Sequence, residues 1–174
     1  METDFDPAHH CDRDRGMSDE EAFAATASYV HAQKQYAVRS AQDRETLVAL
    51  RAMGRALHAL QDCFSHTNVL DLGDGVARET TRALLENGSM PPGLRLVGID
   101  SHSSEVGAPD GDPYPHDRHN KDAPDGSPEA GERLPDGRTR HEAAHALAVE
   151  ATAAFLEAVK REAGEEAWTA LAAA

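Results

Sequence analysis

Apolar residues in this chain recur mainly at helical spacing, and polar punctuation marks where each run begins and ends. Ser18 stands ahead of an Ala-rich run with Glu21 three residues later, the arrangement of a capping box, so a helix is expected from there to about Ser40. A second is expected from about Gln42 to His66. Its Leu50, Met53, Leu57, Leu60 and Phe64 recur at intervals of 3, 4, 3 and 4 and make one apolar stripe. A shorter helix runs from about Gly75 to Glu86 and closes at Asn87-Gly88. The last runs from Arg140 to about Arg161, with Ala144, Ala148, Ala151, Phe155 and Val159 on one face and Gly164 as its stop. Residues 1–17 show no periodicity and read as an extended lead-in.

Residues 87–140 differ in kind. They hold 8 of the 9 prolines and 8 of the 13 glycines, and Pro-Asp-Gly, a β-turn signal, occurs at 109–111, 124–126 and 135–137. A segment of this sort is either a disordered acidic insertion or a functional loop. Tyr114, His116, His119, Asn120 and Asp122 carry chemistry that a spacer does not need. The expected architecture is an all-α helical bundle with one long irregular Gly/Pro/Asp-rich loop, a single domain over residues 1–174.

Composition narrows the reading. Only 5% of the 174 residues are aromatic, so the core must be built from Ala, Leu and Val. With 31 acidic and 17 basic side chains the formal charge is −14, which disfavours a sequence-independent grip on a nucleic-acid backbone. It leaves open a nuclease whose metal ions supply the positive charge. No apolar run approaches the roughly 20 residues of a membrane span. The first residues are acidic where a signal peptide would be basic and then apolar, and two cysteines make no disulfide framework. A cytoplasmic protein is therefore expected, and Cys63, beside Phe64, reads as a small core residue. Arg outnumbers Lys 14 to 3, a bias of GC-rich bacterial coding.

Seven of the 10 histidines fall in four groups, three of which also hold aspartate. In the second helix His58, Asp62 and His66 are each one turn apart, within an arc of about 80° on a face other than the Leu/Met/Phe stripe. Imidazole and carboxylate at i, i+4 close on one metal ion, and the third residue reaches a neighbouring one. His141 and His145 repeat the spacing, inside the apolar arc of the last helix, where buried imidazoles need partners. For these histidines the alternative to metal is hydrogen bonding in the core or exposure near the helix start. His9, His10 and Asp12 in the lead-in, and His116 and Asp122 in the long loop, complete a candidate shell. Nitrogen and carboxylate donors without thiolate-rich spacing suit Zn²⁺, with Fe and Mn as competitors.

The run at 56–73, Ala-Leu-His-Ala-Leu-Gln-Asp-Cys-Phe-Ser-His-Thr-Asn-Val-Leu-Asp-Leu-Gly, resembles the motif of the Het-C heterokaryon-incompatibility family and its bacterial relatives. That family is similar to zinc-dependent phospholipase C and the fungal single-strand zinc nucleases, all-helical enzymes with a trinuclear zinc site. The likeness continues at His116 and Asn120-Lys121-Asp122, and from His141 into the last helix. It implies that His58 and Asp62 are ligands, with Asp62 bridging two ions. It also implies that His66 joins His141 and His145 at another ion, where the phospholipase pattern has Glu at the place of His145. His9 or His10 would replace the ligands those enzymes draw from an N-terminal Trp, because the only Trp here is Trp168. Asp122 would be a base or an outer carboxylate.

The function so implied is a zinc-dependent hydrolase of phosphoester or phosphodiester bonds, holding two or three ions. Its substrate would be a small molecule or a lipid. Nucleic acid is less favoured, because there are few aromatics on which to stack bases. The alternatives are a biosynthetic metalloenzyme reusing the fold for another reaction, and a non-enzymatic interaction protein whose metals only hold the bundle together.

Overall fold

The computed structural model describes residues 6–100 and 111–173. The acidic start of the chain and most of the first Pro-Asp-Gly turn lie outside the described residues. Helices dominate: α1 (Asp19–Gln42), α2 (Thr46–Ser65), α3 (Val69–Leu72), α4 (Asp74–Glu86), α5 (His116–His119), α6 (Arg140–Ala163) and α7 (Glu165–Ala172). The fold is all-α, as the periodicity predicts. Two strands of two residues each, β1 (Arg13–Asp14) and β2 (Gly98–Ile99), pair in parallel and were not legible in the pattern.

Both long outer helices start where the sequence marks them. Ser18 and Glu21 exchange side-chain and backbone bonds at the head of α1, and Thr139 and Glu142 do the same at α6. Asn87 ends α4 in the left-handed conformation, and Gly164 ends α6. The second helix starts later than expected, at Thr46, because Arg44 takes φ 61° and breaks the chain between α1 and α2.

The buried face of α2 is rotated from the predicted stripe. Ala49, Ala52, Met53, Ala56, Ala59, Leu60, Cys63 and Phe64 are buried, whereas Leu50 is 41% exposed and Leu57 only partly covered. α1 lies along this face with Ala27, Val30 and Ala37 buried in turn. Small side chains on both helices let the backbones approach closely, so Ala outcompetes Leu for the contact. α6 closes the core with Ala151, Phe155, Ala158 and Val159. His141 is half-buried and His145 exposed, so this pair does not point into the core as its position in the apolar arc suggests. Both lie toward the start of α6, where the helix borders a cleft.

Cys11 and Cys63 form a disulfide, which corrects the reading of Cys63 as a free core residue. Both are fully buried, so the burial is right and the chemistry is not. The cysteine count therefore no longer argues for the cytoplasmic protein expected above. Among the described residues, no helix is long and apolar enough to cross a membrane.

In the long loop Leu94, Leu96, Val97 and Ile99 are buried, whereas residues 111–140 are held mainly by polar contacts. Gly98 leaves room for the Asp112 carboxylate, which a Cβ at 98 would overlap, and Asp112 takes both bonds from one Arg13 nitrogen at 2.8 Å. Lys121 is buried with its ammonium donating to the His119 carbonyl at 2.7 Å and 3.5 Å from Glu129. Glu129 also receives Arg140 at 2.9 Å, and Arg140 clamps Asp71 at 2.8 Å.

Phe155 is fully buried between these helices. Phe155→Ala is expected to lower stability by about 3–5 kcal/mol, read as a fall in the urea midpoint with the slope unchanged.

Candidate metal centre

The second half of α2 presents His58 and Asp62 on one face, and His66 follows as the C-cap residue, its N–H donating to the Asp62 carbonyl at 2.7 Å. The lead-in crosses this face. After a short turn at Pro7–His9, Cys11 is bonded to Cys63, and β1 then pairs with β2. His10 and Asp12, on either side of Cys11, are thereby set against the α2 residues.

Two groups result whose donor atoms could hold a metal ion. In the first, His10 Nδ1 lies 3.3 Å from Asp62 Oδ2 and 3.1 Å from His58 Nε2, and His58 Nε2 lies 3.4 Å from the same oxygen. Ligands on a tetrahedral ion with bonds of 2.0–2.1 Å stand about 3.3 Å apart. The three atoms therefore match the edges of such a site. His58 is exposed and the other two are partly so, leaving one side open.

The second group is Asp12, His66 and His116, whose ligand atoms lie within 4.8 Å of one another. His66 donates Nδ1–H to the His10 carbonyl at 2.8 Å. Asp12 Oδ1 is 2.9 Å from the same nitrogen, but one proton cannot serve both, and this buried oxygen has no other hydrogen-bond donor among the described residues. Such an orphaned carboxylate oxygen fits a cation site. His66 Nε2 meets Asp122 Oδ2 at 2.9 Å. Burial opposes charge on His66, yet the carboxylates of Asp12 and Asp122 outweigh it and push its pKa up to about 10. Burial, then the charge on His66, moves His116 down, which favours a neutral, metal-competent ring. Burial pushes Asp122 up, but its bond from His66 and the charge there hold it below the usual carboxylate range.

Both groups face one cleft of 520 Å³, which His141, His145, Gln61, Ser65, Lys121 and Asp122 also line. His141 donates Nδ1–H to the Lys121 carbonyl at 2.7 Å, which leaves Nε2 as its acceptor nitrogen. Its ring centroid is 6.4 Å from that of His145, and neither ring joins a ligand group. The structure thus pairs His66 with Asp12 and His116 where the resemblance pairs it with His141 and His145. The cause is local: as a cap residue His66 has left the helical path and turned to the lead-in. His9 is not brought to the cleft. It stacks on Tyr29 at 3.9 Å and lies 3.4 Å from Asp6, so His10 is the lead-in histidine that reaches Asp62.

The contributions of Arg13, Asp112, Lys121, Glu129 and Arg140 were missed from sequence. They bind no candidate ion, but they fix the strands and loop that deliver Asp12, His116, Asp122 and His141. Pro-Asp-Gly turns around a lone Lys in an acidic loop were the available signal. The chain matches no family model, no curated protein and no solved structure with which it was compared.

Burial raises Glu129, but Lys121, His119 and Arg140 outweigh it and hold its carboxyl below 4.5. Its stabilising effect is therefore present above pH 4.5 and lost as pH falls through the lower folded value. Glu129→Gln leaves the Lys121 ammonium buried and short of a counter-charge, and should cost about 3 kcal/mol in urea unfolding at pH 7. The gap to the native chain should narrow in acid.

Proposed function

We propose that this chain is a metal-dependent hydrolase of phosphoester bonds, with zinc as the resident ion and His10, His58, Asp62, Asp12, His66 and His116 as its ligands. The observation that carries the proposal is the meeting of two His/Asp groups in one open cleft. A structural zinc site is closed by four protein ligands, whereas a catalytic one has three and an open position. The His10–His58–Asp62 group is of the second kind. The disulfide pairing removes both thiols from the donor set, which leaves nitrogen and oxygen. The likeness of residues 56–73 to the Het-C family and its zinc phospholipase and nuclease relatives points the same way.

The ions would supply Lewis acidity toward a phosphoryl group and its attacking water. The remaining chemistry belongs to side chains. With Nδ1–H given to the His10 carbonyl, His66 would take the ion through Nε2 in place of the proton it shares with Asp122, whose Oδ2, 2.9 Å away, is near enough to join that shell. His141 and His145 line the same cleft, and His141, with Nε2 as its acceptor nitrogen, would take a proton from the attacking water. Apart from histidines, no aromatic ring among the described residues lines the cleft, which favours a small-molecule or lipid phosphoester over nucleic acid.

Elemental analysis of the purified chain should find zinc at two or three per chain. Hydrolysis of bis(p-nitrophenyl) phosphate should vanish with chelator and return with zinc. His58→Ala should lower that activity by at least about 100-fold with the helical circular dichroism unchanged. Iron in place of zinc, or metal-loaded protein that hydrolyses no phosphoester, would overturn the reading.

A further inference from the structure

We propose that the Cys11–Cys63 disulfide is a redox clasp for the metal centre: it holds the two ligand groups assembled, and its reduction releases the ions. This rests on the metal reading above. Cys11 stands between His10 and Asp12, and Cys63 directly follows Asp62 and precedes His66 by three residues. Each ligand group takes one member from the lead-in, His10 with His58 and Asp62, and Asp12 with His66 and His116. Both lead-in ligands are thus one residue from the bond, and neither group is complete without them.

Other contacts hold the lead-in less directly. Arg13 is fixed by Asp19 and Asp112, and the His10 carbonyl by His66. Between these points Cys11 takes φ 56°, a left-handed conformation that a residue with a Cβ adopts reluctantly. The bond to Cys63 holds it there, and this turn sends His10 to one group and Asp12 to the other. Once the bond is gone, Cys11 is free to relax, and the two ligands lose their common placement.

Both cysteines are fully buried, so a reductant reaches the sulfurs only when the lead-in lifts. Ions held by His10 and Asp12 oppose that lifting. Metal and bond therefore stabilise each other by the same factor. Reduction by a thiol pair transfers two electrons and two protons, giving two thiols at Cys11 and Cys63 while the reductant closes to its own disulfide.

Zinc titration of the metal-stripped native chain and of Cys11→Ala/Cys63→Ala tests this directly. The alanines add no thiol ligand. Affinity should fall at least tenfold with the helical circular dichroism retained. A folded variant that binds zinc as tightly as the native chain overturns the clasp and leaves the metal reading standing. A native chain that binds no zinc removes the metal reading itself. A second measurement needs no variant: the midpoint potential of the native disulfide in glutathione buffers, with free zinc fixed by a chelator. A tenfold coupling moves the midpoint about 30 mV more negative when zinc is present. An unchanged or less negative midpoint overturns the proposal.

Discussion

The covalent link between Cys11 and Cys63 ties a segment with little hydrophobic content of its own to the buried face of α2. It closes a loop spanning 52 positions, which on the chain-entropy model removes about 4 kcal/mol of freedom from the unfolded chain. Its larger effect is positional. From Asp6 to Met17 the lead-in buries only Cys11 and Asp12, so packing alone gives it no reason to lie against α2. With the link in place, β1 can reach β2, Arg13 can reach Asp112, and the cleft acquires its floor.

The molecule is made of two kinds of structure with different cohesion. The helical part is an Ala-rich core in which α1, α2 and α6 approach closely and Phe23, Phe64 and Phe155 fill the remaining volume. Its stability comes from apolar burial. Residues 111–140, which bring His116, Lys121 and Asp122 to the cleft, hold few large apolar side chains and rely on paired charges instead. Lys121, Glu129, Arg140 and Asp71 form a chain of contacts running from inside this segment to α3. Such pairs fix geometry strongly while adding modest net stability. That division suits a site whose ligands must be placed accurately on a frame that is stable without them.

The sequence made the frame legible because capping and stop signals are local. Ser18, Glu21, Asn87 and Gly164 act within one turn of where they stand, and the structure has each where it was expected. The face of α2 was misjudged because hydropathy ranks Leu50 above Ala49. The choice between them is made by the distance to α1, which no single segment records. Cleft assembly was legible as a list of donors and not as a partition. Spacing aligned His58, Asp62 and His66 on a helix, but His66 lies at the cap, and its partners come from residues more than 45 positions away. The choice between His9 and His10 depended on the path of the lead-in after Cys11. The disulfide itself was missed because two cysteines far apart in sequence carry no pairing signal.

The capping box at Thr139 and Glu142 has a bearing on the cleft that lies outside the energetics of the helix. His141 is the second residue of α6, in the turn that frays first in any helix. A side chain there would ordinarily sample many directions, and its nitrogen would be smeared over several ångströms. The box anchors the backbone on one side of His141, and the Lys121 carbonyl anchors the ring on the other. A fluctuating helix end thereby becomes a fixed vector, and the positional entropy of one imidazole is removed by the fold itself.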